Sequence, residues 1–337
     1  MGRPERLDLI REIETERRSK VLVYVTGDRR GLQTKIGVDT FPFVAKHLAQ
    51  FGRPEKIDLF LYSTGGITMA GYSLVNLIRE YCNSFGVLIP FKAYSCATLV
   101  ALGADDIVMS KMGQLSPIDP SIGHPLGPSI PVGPSGARQV LPVSVEDIFN
   151  YLDLARKELK INDVDSLERV LENLTKSVHP LVLGHGYRLR EQIEFLARNL
   201  LSSHMSDDQK ISGIIENFIR GRFSHNYIFS RREAKEILKL PIIDDEKVES
   251  LIVSLFEEYQ QMLELPNPHS PELAIGDSEE SRSSFDRAII ESIDLTHVFR
   301  SERIFRRVSV PIPNTDIVTP QVIEGNVHEG WIEDNTI

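Results

Sequence analysis

The stretch FKAYSCATLVALGADDIVMS, residues 91–110, sets Ser95 between an extended apolar segment and the short apolar run ATLVALGA. That run has the pattern of a short buried helix, and DDIVMS after it reads as another strand. A hydroxyl at such a corner has two readings. It caps the helix by accepting from an orphan backbone N–H, or it is a nucleophile held at a strand–turn–helix corner. Outward from Ser95 the same alternation repeats. VLVYVTGD (21–28), KIDLFLYSTGG (56–66) and GVLIPFKAY (86–94) read as strands, and TFPFVAKHLAQF and ITMAGYSLVNLIREY between them carry apolar residues at helical spacing. Strands alternating with helices imply parallel pairing through crossover helices, hence an α/β domain.

Beyond the strands the composition shifts. Residues 113–142 are dense in Gly, Pro and Ser and read as one long loop. Residues 144–263 read as successive helices, after a polar, charged helix near the N-terminus at 5–18. PNPHSPELAIGDSEESRSS, 266–284, reads as a linker, and the residues after it as two β-like segments around a charged turn, with a loosely held tail from 313. The expected organisation is an N-terminal helix (1–20), one α/β domain (21–265) that includes the helical part, the linker (266–284) and a β-rich extension (285–337).

Bulk composition narrows the function classes. The chain has 337 residues, 41% hydrophobic and 26% charged, with a net charge of −10. These values suit an ordinary globular protein and give no basic footprint for nucleic acid. Its two cysteines, Cys82 and Cys96, form neither a C-x-x-C pair nor a zinc spacing. That favours a reducing compartment and no metal. The charged N-terminus lacks an apolar signal core, and no apolar run is long enough to span a bilayer. The expectation is a cytoplasmic protein without cofactor.

Within YSTGG, Gly65 and Gly66 end a strand where a helix begins. Such a turn exposes backbone N–H groups suited to an oxyanion; it is also what any tight turn needing glycine dihedrals looks like. The order strand–GG–helix, strand–Ser–helix, Asp–apolar strand and Gly/Pro loop resembles the ClpP–crotonase superfold and its serine-peptidase branch. STGG is similar to SPGG of the Clp proteolytic subunit. AYSCAT is similar to its AASMGA and to AASGG of signal peptide peptidase A. Over residues 20–265 the chain most resembles the serine dehydrogenase proteinase (SDH proteinase) family, whose LYSTGG, YAMSAGT, ADEIVM and LGPIDPQ read here as LYSTGG, KAYSCAT, ADDIVM and LSPIDPS.

The resemblance implies a Ser–Asp–His order. Ser95 becomes the nucleophile, and Asp119, 24 residues later in SPIDP, the acid. SHNYIFSRREAKEIL is similar to the Clp segment RDRFLSAPEAVEYGL, which implies His225 as the base. The oxyanion donors become Gly65, Gly66 and Cys96. Rivals stay open: His179 and His185 for the base, Asp105 and Asp106 for the acid, and Lys92 or Lys111 in a Ser–Lys dyad like that of signal peptide peptidases. Lys92 is expected to snorkel to solvent, and Cys96 to act as a small buried hydrophobe. The implied activity is hydrolysis of peptides or unfolded proteins by a homo-oligomer. The alternative is a catalytically inactive assembly scaffold of the same fold. A crotonase-like acyl-CoA enzyme has no use for the serine. No Walker A pattern occurs, so any ATPase or regulatory partner is a separate chain.

Overall fold

Four segments of near-continuous Val, Ile, Leu and Phe form the central strands: β1 (Lys20–Thr26), β2 (Lys56–Tyr62), β3 (Ser84–Ile89) and, after a two-residue β4 (Lys92–Ala93), β5 (Asp106–Met109). In the computed structural model, which describes residues 2–132, 137–220, 226–311 and 318–336, β1, β2, β3 and β5 pair in parallel in that order. Runs buried on both faces are what a covered parallel sheet requires. Helices α1 (Arg3–Arg17), α2 (Phe41–Phe51), α3 (Thr68–Arg79) and α4 (Cys96–Leu102) occupy the intervals expected from the sequence. The expected third strand breaks in two at Pro90. β4 instead pairs with β6 (Gln114–Leu115), so the residues leading into Ser95 leave the main sheet.

The chain divides into two compact units. The first comprises 1–115, 230–235 and 239–337, and the second 116–229 and 236–238. In the first unit, Val21, Val23 and Val25 join a core with Leu7, Ile10 and Ile13 of α1 and with Val248, Ile252, Leu255 and Phe256 of α5 (Glu246–Met262). The alternate residues Leu22 and Tyr24 are equally buried and point to the opposite face.

The same unit takes in the C-terminal strands. β7 (Glu280–Glu291) lies antiparallel on β1, β8 (Thr296–Pro311) on β7, and β9 (Val318–Glu333) on β8, giving the order β9-β8-β7-β1-β2-β3-β5. β9 corrects the expectation of a loose tail. Its register with β8 runs from Val318 opposite Pro311 to Glu333 opposite His297, and its polar residues are those of a strand with a wet face. The stretch read as a linker holds the helix Pro271–Ile275, capped by Ser270, and the start of β7.

In the second unit, the stretch read as one loop contains the hairpin Ser129–Val132 with Ala137–Val140. The expected helices follow as Val145–Asp153, Val164–Thr175, Pro180–Ser202 and Asp208–Phe218. Each is capped by a side chain that accepts a backbone N–H: Ser144, Asp163, His179 and Asp207. Among the described residues no helix is long and apolar enough to cross a membrane.

Two buried polar clusters tie the C-terminal strands to the rest of the first unit. Glu291, fully buried, accepts Arg6 Nε at 2.9 Å and Tyr259 OH at 2.6 Å, joining β7 to α1 and α5. His47 of α2 contacts Ser292 Oγ at 2.7 Å through Nδ1 and His297 Nδ1 at 3.0 Å through Nε2. Burial, then the charges of His297 and Lys46, drives His47 down to about 3, and burial also lowers His297 against the opposing pull of Glu333.

Glu291→Ala strands a buried guanidinium and should cost about 3–5 kcal/mol by chemical denaturation. The histidine pair sets a pH dependence. A group whose folded pKa is depressed contributes stability that is present above its unfolded pKa and lost as pH falls. Unfolding free energy should therefore fall as pH drops from about 6.5 towards 3, by up to roughly 1.4 kcal/mol per pH unit from His47, with His297 adding to the upper part of that range. The slope should be shallower in His47→Leu.

Candidate active site

Ser95 occupies the N-cap position of α4, with φ 50° and ψ −112°. Positive φ at a non-glycine residue costs roughly 1–3 kcal/mol. No side-chain capping bond accompanies it, so helix capping does not account for the strain. A strained strand-to-helix turn is also where some α/β hydrolases carry a serine with its Oγ accessible.

The glycine turn lies directly against this corner. A Cβ on Gly65 would come within 3.0 Å of Ser95 Cβ and 3.1 Å of the Tyr94 carbonyl, and Gly65 has φ 111°. Only glycine suits both the contact and the dihedral. Gly66 is as constrained on its other side, where a Cβ would meet the Ile36 carbonyl oxygen at 2.2 Å. There the Ile36 N–H donates to Gly65 O and the Ile67 N–H to Ile36 O, both at 2.9 Å. This bridge turns the Gly66 N–H away from Ile36. Among the described residues neither the Gly66 nor the Cys96 N–H has a hydrogen-bond acceptor.

Gly65 differs from the expectation that its N–H faces an oxyanion. That N–H donates to Ser63 Oγ at 3.0 Å, inside its own turn. Ser63, within the motif YSTGG, went unremarked in the sequence because its role is to a backbone group two residues on. Cys96 is the expected buried hydrophobe. Its Sγ donates to Ile67 O at 3.2 Å, and burial pushes the thiol up to about 12.

Several rivals have structural employment. Lys92 does not snorkel to solvent; its Nζ donates to Asp28 Oδ2 at 2.7 Å, and Asp28 also accepts from Tyr62 OH at 2.8 Å. Asp105 receives Phe85 N–H at 2.7 Å and Arg79 at 2.9 Å, while Asp106 pairs with Arg17 and Lys56. Lys111 is exposed.

Ser95, Gly65, Gly66 and Cys96 are thus brought together in the first unit; Asp119, His179 and His185 belong to the second. Asp119 is buried and accepts Ser144 Oγ–H at 2.8 Å. Beside it Glu146 is raised to about 7 by burial, against the pull of Arg190 and with that of Asp119. His179 spends Nδ1 on the Leu181 N–H at 3.2 Å as a helix cap, and the His185 ring lies 6.0 Å from that of His124. His225 lies outside the described residues. Among the described residues no group of three or more His, Cys, Asp or Glu is placed to hold a metal ion.

Residues 3–133 match the family of ClpP-like SDH-type serine proteinases. The matched segment includes the glycine turn, Ser95 and Asp119. Two uncharacterized proteins of Methanocaldococcus jannaschii are also similar. One is 23% identical over 266 residues, 76% of this chain and 79% of that protein. The other is 30% identical over 164 residues, 46% of this chain and 54% of that protein.

Gly65→Ala should be the most damaging single-methyl addition at this site. It forces a side chain into left-handed φ and against Ser95, so the melting temperature should fall and any Ser95-dependent reaction disappear. A variant as stable as the parent would show that the turn has room to spare.

Proposed function

We propose that the chain is a serine peptidase on a ClpP/crotonase-like core, in which Ser95 attacks the carbonyl of a peptide or unfolded protein. The observation that carries this reading is Ser95 itself, strained at a strand–helix corner with a glycine turn in contact and no capping bond to account for the strain. The match to the ClpP-like SDH-type serine proteinases supports it.

In the proposed reaction His225 takes the Ser95 proton as the Oγ–C bond forms. Asp119 orients the imidazole and stabilises its cation. The Gly66 and Cys96 N–H groups receive the oxyanion, each worth roughly 2.7–4 kcal/mol of barrier by precedent. Gly65 serves by its lack of a side chain. The histidine then protonates the leaving amine, and water hydrolyses the acyl-enzyme by the reverse proton path.

A fluorophosphonate probe should label the wild-type chain at Ser95 and leave Ser95→Ala unlabelled, with the variant's melting temperature near that of the parent. Labelling and peptide hydrolysis that survive in Ser95→Ala would remove the assignment. His225→Ala should lower kcat by about 10⁴- to 10⁶-fold, whereas His179→Ala should cost little beyond a helix cap.

The same reading includes a closed homo-oligomer, as most soluble homo-oligomers are. The helix Val164–Thr175 supports it: amphipathic, it packs Leu174 against Ile122, Val145 and Val182 but leaves Val164 and Leu171 exposed and fully buries no residue. Such a stripe needs a partner surface. Light scattering at micromolar concentration should give a multiple of the 38.1 kDa chain mass; an active monomer would exclude the assembly.

A further inference from the structure

We propose that Ser63 is a positioning residue for the oxyanion site, fixing the Gly65–Gly66 turn against the strand that delivers Ser95. The inference rests on the reading of Ser95 as nucleophile. Ser63 is fully buried and so touches no substrate. Its backbone and side chain hold different halves of the site.

Through its backbone Ser63 grips the serine strand. The Ser63 N–H donates to Lys92 O at 2.9 Å and the Tyr94 N–H donates to Ser63 O at 3.0 Å, a parallel bridge opposite Ala93, two residues before Ser95. Through its hydroxyl it grips the glycine turn. Oγ accepts the Gly65 N–H at 3.0 Å and lies 3.1 Å from Gly65 O, towards which its own proton is directed. Thr26 Oγ1, also buried, donates to Ser63 Oγ at 2.7 Å and completes the hydroxyl's partners from β1.

The turn needs such a pin. Two consecutive glycines have the widest backbone freedom of any dipeptide, and freedom in the peptide between them swings the Gly66 N–H. An oxyanion donor acts only when it is aimed beforehand at the developing charge. Ser63 takes up that freedom while fixing the turn to the same strand that fixes Ser95, so donor and nucleophile share one reference. A serine that merely satisfied a buried N–H would affect stability alone. A positioning serine affects the transition state.

The test uses Ser63→Ala, Thr26→Val and the conservative Thr26→Ser in the full chain. Active sites are titrated with a fluorophosphonate, and kcat is expressed per titrated site. Ser63→Ala should lower it roughly 10- to 100-fold, the scale of a small misplacement, with KM within about threefold of the parent. The inhibition constant of a peptide aldehyde, whose adduct places an oxygen in the oxyanion site, should rise in proportion to the fall in kcat/KM. Thr26→Val should show a smaller loss of the same kind, and Thr26→Ser should restore it. In parallel, amide hydrogen exchange should show the Gly65 N–H protected in the parent and released in Ser63→Ala. Unchanged kcat per site, or unchanged Gly65 protection, in a folded Ser63→Ala overturns the proposal. If that variant does not fold, the Thr26→Val and Thr26→Ser pair decides by the same readings. A parent chain that neither labels nor turns over substrate refutes the nucleophile reading instead, and Gly65 exchange then judges the pin alone.

Discussion

The approach of Gly65 to Ser95, close enough that a methyl group between them would touch Ser95 Cβ at 3.0 Å, makes demands on every neighbouring element. β2 must end level with β4, which their bridge at Ser63 and Ala93 achieves. β4 must leave the main sheet after Pro90 so that Ser95 turns towards β2 before α4 begins. On the far side of the glycines Ile36 must close in on Gly66, which needs the segment after β1 to run beside the turn. Thr34 N–H to Gly27 O, and Arg287 to the carbonyls of Leu32 and Gln33, hold that segment in place. The strain at Ser95 persists because these contacts over-determine its backbone.

Buried charge as well as apolar area links the C-terminal strands to this core, where Ile289 and Val298 pack beside Val23 and Tyr259. Glu291, fully buried, gathers Arg6, Tyr259 and Thr296, and within the parallel strands Arg17 of α1 likewise bridges Asp58 of β2 and Asp106 of β5. Groups of this kind cost free energy to desolvate and contribute little when compared with well-packed hydrophobes. Their effect is selective: each carboxylate is satisfied only when one particular helix meets one particular strand. The His47–His297 contact adds the same selectivity with neutral groups, and so ties it to pH.

The strands and helices from 20 to 110 were legible because period and length are set locally. Apolar runs, glycine turns and the small-residue corner are visible one segment at a time. The meeting of the Ser95 corner with its glycines came instead from the resemblance to the SDH proteinase family, because no local pattern joins residues thirty positions apart. Other features depend on partners distant in sequence. In α1 the charged residues hide Leu7, Ile10 and Ile13, which matter only because α5 lies opposite. The polar residues of β9 suggested a free tail until β8 supplied its hydrogen bonds. Ser63 stood inside a quoted motif, but its hydroxyl has meaning only once Thr26 and the Gly65 N–H are known to face it. The sequence leaves Lys92 to solvent because nothing in the order of residues brings Asp28 to it. The Asp119–His225 pair proposed to serve Ser95 is the least legible part, since Asp119 comes from a Pro-flanked segment whose pattern specifies no element.

β1 has neighbours of opposite origin. β2 follows it within the first fifth of the chain, and β7 arrives only near the end, pairing Thr26 with Ala288 and Val23 with Glu291. During synthesis, therefore, one side of β1 stays an open edge while more than two hundred further residues are made. The loop beyond Gly27 likewise waits for Arg287. The glycine turn and Ser95 are encoded early but receive their last supports late, so the order of the polypeptide itself postpones completion of this corner until β7 has emerged.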